Sequence, residues 1–173
     1  MYKTLLMVLL SGSLVMPAWA QKCDTAQPAS APLSRFDAGS DGRIMTDGKT
    51  GLVWLRCPLG MQWSGSSCEG QSLTYDWGSA KAAVAELNAQ RVGGQRNWRL
   101  PTVTELQGIV ESRCFKPAID LQAFPFTPES GFWSATEIEG INNVRALIVH
   151  FIHGREYIAN KQQSWRVRPV ADK

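Results

Sequence analysis

The sequence is poor in the groups that carry most catalytic chemistry. It holds two histidines, His150 and His153, and nowhere a glycine-rich phosphate loop, a G-x-S-x-G elbow or an H-E-x-x-H pair. Their absence excludes the phosphate-cradling, nucleophile-elbow and zincin mechanisms that those motifs serve. The histidines stand at the end of an apolar run and in the His153-Gly154 turn after it, a placement that reads as packing and turn capping. None of the four cysteines belongs to a C-x-x-C pair, so spacing speaks against zinc. The early apolar run, Leu5 to Leu10, is interrupted by Ser11-Gly12-Ser13 and is shorter than the ~20 residues of a spanning helix. No block recurs, and nothing after Arg35 has linker composition. The expectation is one domain with no enzymatic activity, no cofactor, no metal, no nucleic-acid partner and no membrane span.

What is present points to export. Lys3, the apolar core and the small-x-small site Ala18-Trp19-Ala20 read as a signal peptide over 1–20, so the expected location is the periplasm or the exterior. Residues 21–34, with Pro28 and Pro32 among alanines and serines, read as an extended, weakly ordered leader. The domain proper is expected over 35–173. Four cysteines downstream of a cleavage site imply disulfides, and three pairings are open. The turn-rich segment between Cys57 and Cys68 favours closing that loop on itself; Cys23 and Cys114 would then pin the leader to the end of the second helix.

Residues 43–47 and 52–56 flank the turn Gly48-Lys49-Thr50-Gly51 as a β-hairpin. Asp37, Asp41 and Asp47 invite a calcium reading, but the EF-hand spacing fails and Asx-turns account for them. A helix is expected over 74–94, with Asp76 at its start and Gly93-Gly94 at its end. Next comes a corner, Asn97-Trp98-Arg99-Leu100-Pro101-Thr102. Pro101 stops a strand there, and Thr102 with Glu105 forms the capping box of a second helix. Arg99 and Glu105 are expected to form a structural ion pair. Residues 115–130 read as an irregular excursion, 144–151 as a strand buried on both faces and 156–160 as its partner. A last strand over 165–169 should turn Trp165, Val167 and Pro169 inward and Arg166 and Arg168 outward. Together these give an α+β fold, two helices on antiparallel sheet with long loops and disulfide staples.

The corner Trp98-Arg99-Leu100-Pro101-Thr102 with Glu105-Leu106 resembles the signature of the Lcl (Legionella collagen-like) C-terminal domain family. Thr50-Gly51-Leu52-Val53-Trp54, Phe132-Trp133-Ser134-Ala135-Thr136 and Val167-Arg168-Pro169-Val170 match its other blocks in order. More distantly the corner is similar to that of the formylglycine-generating enzymes, which implies a C-type-lectin-like scaffold. That enzyme group needs a late reactive cysteine pair, and no cysteine follows Cys114. The adhesin that names the family is associated with sulfated glycosaminoglycans, which implies a glycan-binding role. This chain has no Gly-x-y stalk, which leaves its oligomeric state open.

From charge alone the basic C-terminal third reads as solvated side chains on edge strands, and it is the resemblance that turns it toward an anionic partner. Residues 144–173 hold six basic side chains against two acidic ones, a net +4; the chain's +3 includes Lys3, which leaves −2 for residues 21–143. Arg155, Lys161, Arg166 and Arg168 are the candidate ligand contacts. The functional expectation is an exported, non-catalytic binding or adhesion module for anionic glycans or cell-surface components. The alternative is a structural or accessory subunit of an envelope or pilus assembly that contacts protein, and a degenerate formylglycine-generating-type enzyme stands third.

Overall fold

A computed structural model describes residues 21–172; the expected signal peptide lies outside them. In chain order the strands are β1 (Lys22–Cys23), β2 (Phe36–Ala38), β3 (Ile44–Asp47), β4 (Val53–Leu55), β5 (Met61–Trp63), β6 (Cys68–Gly70), β7 (Cys114–Phe115), β8 (Gly131–Ile138), β9 (Arg145–His150), β10 (Arg155–Asn160) and β11 (Val170–Ala171). The helices are α1 (Trp77–Gln90) and α2 (Val103–Gly108). Four antiparallel sheets result, ordered β11-β4-β3-β2, β10-β9-β8, β1-β7 and β5-β6. The architecture is α+β, and both expected disulfides are closed, Cys57–Cys68 and Cys23–Cys114.

Two buried apolar clusters hold the elements together. The first joins Trp77, Ala80 and Val84 of α1 to Trp98, Trp133, Ala146 and Ile148. The second joins Leu106 and Ile109 to Trp54, Phe124, Phe132, Val149 and Phe151. Strand β9 therefore feeds one cluster through Ala146 and Ile148 and the other through Val149, which is why both parities of its sequence are apolar. Each large side chain buried this way contributes ~1.5–3 kcal/mol.

Local chemistry sets the element boundaries. Asp76 caps α1 by accepting from the Ser79 amide at 2.9 Å. The helix ends earlier than its periodicity implies, because Arg91 turns left-handed at φ 52° and its amide folds back to Asn88 and Leu87. On the other side Tyr75 is not helical but bridges Trp165. Thr102 and Glu105 complete the capping box of α2. The hairpin turn is closed by Asp47, which accepts from the Lys49 amide and the Thr50 hydroxyl, and Asp41 accepts from the Arg43 amide. Asx-turns thus occupy both aspartates, while Asp37 lies exposed on β2.

Two expectations are corrected. The leader is docked rather than weakly ordered: β1 pairs with β7, and Ala31 is buried. Its polar backbone finds carboxylate acceptors, with Ser30 and Ala31 donating to Glu111 and Leu33 to Asp120. The expected strand over 165–169 does not form. There the chain changes partner at nearly every residue: Trp165 bonds Tyr75, Arg166 bonds Gly131, and the carbonyls of Val167 and Pro169 serve Leu59 and Leu55. Without a continuous ladder the two-residue alternation lapses, and Val167, Arg168, Pro169 and Val170 are all buried in succession.

Candidate functional site

The four candidate cations do not form one outward surface. Arg168 is a core residue with no exposed area. Its Nη1 donates to the carbonyls of Leu55 and Arg56, and its Nη2 donates to the Thr127 hydroxyl at 2.7 Å. The guanidinium lies 4.8 Å from the ring centre of Phe124 and 5.8 Å from that of Phe132. Burial pushes its pKa down to about 9, so it stays charged at neutral pH. Lys161 is neutralised by Glu137 at 2.6 Å and also donates to the Asn143 carbonyl while sitting over Trp77. Arg155 is exposed on β10. The outward pairing of Arg166 with Arg168 is therefore overturned.

Arg166 stands apart. It is half-buried, and its Nη1 donates to the Ser72 carbonyl at 2.9 Å. Its Nε is buried without a partner, and so is the Ser72 hydroxyl beside it. No carboxylate pairs with it among the described residues. Burial lowers its pKa, the signature of a cation whose water has been removed without full replacement.

This guanidinium lines an open groove of ≈ 430 Å³ with Met61, Ser72, Leu73, Phe126 and Pro128. Leu73 is 46% exposed and Phe126 64%, so the groove is walled by apolar side chains that solvent can reach. Three devices hold it. The amide and carbonyl of Arg166 are bound to Gly131 and Trp133 at the start of β8. The Cys57–Cys68 hairpin backs the other wall: Leu73 donates to the Leu59 carbonyl, and a Cβ at Gly60 would fall 2.4 Å from the Gln71 carbonyl, so only glycine fits there. Phe126 is held at φ 53°, a costly conformation for a bulky residue. Beside it Thr127 is fixed by donating to the Phe124 carbonyl and accepting from Arg168. The buried arginine thus braces the loop that carries Phe126 into the groove it shares with the half-buried one.

Chemically, the groove presents the outer N–H groups of the Arg166 guanidinium to a carboxylate or sulfate, next to solvent-exposed apolar side chains. The model of the Lcl C-terminal domain matches residues 43–171. The chain belongs to that family. Curated proteins offer no match to it.

The Lcl domain's corner behaves as a joint. Arg99 donates to both Glu105 oxygens at 2.8 Å and to Asp172 at 2.7 Å. Glu105 and Asp172 together raise the pKa of the guanidinium. Burial would raise the Glu105 carboxyl, but the hydrogen bonds from Arg99 and Thr102 hold it below the usual carboxylate range. Asp172 ties the corner to the chain's last described residues, a partner that spacing within the motif does not reveal. His150 and His153 sit in a ring cluster with Tyr157 and Trp165, and His150 accepts the Ile152 amide at 3.3 Å.

Sequence reading missed Ser72, Leu73 and Phe126, which lie in loops remote from Arg166 along the chain. The one available signal was a large apolar residue isolated between Pro125 and Pro128. It also missed Glu111 and the buried pair of Arg35 with Asp47, in which Nε donates at 2.6 Å.

Proposed function

We propose that this Lcl domain is an exported, non-catalytic binding module that takes an anionic glycan unit in the Arg166 groove. The observation that carries this reading is the half-buried Arg166 guanidinium, which lines the groove with exposed Phe126 and Leu73 and has no carboxylate partner among the described residues. A uronic acid or sulfated sugar complements it: the acid group meets the guanidinium, and the ring face lies on the aromatic wall. The two closed disulfides support an oxidising location. The two helices, antiparallel sheets and long loops support a C-type-lectin-like scaffold. With one groove cation instead of four surface cations, recognition rests on a fitted acidic unit more than on summed field.

A glycan array with the purified protein tests this. Hits confined to carboxylated or sulfated structures, and lost in Arg166→Gln while the melting curve is kept, are the expected result. An empty array leaves the protein-contacting assembly subunit as the better reading.

A further inference from the structure

We propose that two copies of this chain pair through the free edge of β10, antiparallel and centred on Tyr157. Strand β10 is the edge of its sheet, and its ladder parity follows from one bond. The Lys161 amide donates to the Val144 carbonyl, and the register pairs Arg155 with His150 and Tyr157 with Ile148. Residues 155, 157 and 159 therefore direct their backbone groups at β9, and 156, 158 and 160 direct theirs outward. The amide and carbonyl of Asn160 are taken by Gln163. What remains open is the N–H and C=O of Glu156 and of Ile158, which have no partner among the described residues. Glu156, Tyr157 and Ile158 are all exposed, Ile158 at 58% and Tyr157 at 43%.

A second copy fits this edge in a register set by these groups. Placing Tyr157 opposite Tyr157 of the other copy puts each Glu156 opposite an Ile158. Every open amide then meets an open carbonyl, and four hydrogen bonds form with none left over. The Gln163 clamp at one end and the hairpin turn at the other confine pairing to this short stretch. On the Tyr157 face each Arg155 falls opposite a small Ala159 and diagonal to the partner's tyrosine ring, within reach of a cation–π contact. An exposed edge with an apolar pair at its centre is a template for added strands.

Sedimentation of protein recovered from cells expressing the full chain should show a concentration-dependent dimer. Ile158→Pro removes an outward N–H that the monomer does not use, so two of the four bonds are lost, and dimer dissociation should rise at least about tenfold with the fold intact. Tyr157→Lys, which sets two ammonium groups face to face, should do the same without altering the backbone. Oxidised Tyr157→Cys should link 157 to 157, since paired residues there lie ~4.5 Å apart, while Glu156→Cys and Ile158→Cys should link only when mixed. A wild-type protein that stays monomeric at all concentrations overturns the proposal. So does a dimer indifferent to both Ile158→Pro and Tyr157→Lys.

Discussion

Arg166 and Arg168 are two residues apart and belong to different kinds of region. Around Arg168 the fold supplies carbonyls from β4 and its end, a hydroxyl from Thr127 and the face of Phe124. Around Arg166 it supplies one carbonyl and then stops, in a groove open to solvent. Both side chains are desolvated, yet only the first is well compensated, although each keeps a buried Nε without a partner. Depth of burial alone does not mark a site. The proposed site rests instead on a cation that lacks a carboxylate partner among the described residues and borders an open groove.

The largest expected effect comes from emptying the compensated seat. Arg168→Ala leaves the Leu55 and Arg56 carbonyls and the Thr127 hydroxyl without their donor, and should cost at least about 3 kcal/mol in denaturant melts. Arg168→Met should recover part of that through packing on Phe124. Equal losses from the two variants would show that charge and hydrogen bonding account for all of it.

Acid titration extends the comparison to carboxylates that are fully provided for. Burial would raise the Asp47 carboxyl, but hydrogen bonds from Arg35, Thr50 and Lys49 hold it low. Glu111 is likewise raised by burial and lowered further by the amides of Ser30, Ala31 and Arg113. A carboxyl held below its unfolded value contributes stability that is complete above that value and lost as pH falls through the folded one. Stability should therefore decline below about pH 4, and Glu111→Gln should flatten the decline while loosening the leader in hydrogen exchange.

Thr127→Ala couples the two regions. Removing the acceptor of Arg168 should cost about 1–2 kcal/mol and weaken ligand binding by freeing Phe126, although the Arg166 guanidinium is untouched. Arg99→Ala should lie near 1 kcal/mol, because the arginine is 35% exposed and its ion pairs are partly screened. A loss of 3 kcal/mol or more would mean that the corner is tighter than its exposure implies. Arg166→Gln should change stability least, within about 0.5 kcal/mol, since it removes a poorly compensated charge.

Most of the legible parts of this molecule were local; Cys23–Cys114, 91 residues apart, is the exception and followed from the cysteine count once the Cys57–Cys68 loop was closed. The capping box of Thr102 and Glu105, the Asp47 hairpin, the Cys57–Cys68 loop and the doubly buried β9 each depend on neighbours within a few residues or on simple periodicity. Arg168 was misplaced because alternation along 165–169 presumes a continuous ladder, and the chain there trades partners between Tyr75, Gly131, Leu59 and Leu55. The groove was hidden for a related reason. Its wall at Ser72 and its wall at Phe126 meet Arg166 only through tertiary packing, and no spacing in the sequence encodes that meeting.

Titration of the ¹⁵N-labelled protein with a uronic-acid oligosaccharide, read at the arginine Nε–H resonances, tests the central claim most directly. The account predicts a saturable shift of the Arg166 Nε–H together with the amides of Leu73 and Phe126, and no change at Arg168. Shifts confined to Arg155 and Lys161, with Arg166 unmoved at saturation, would contradict it.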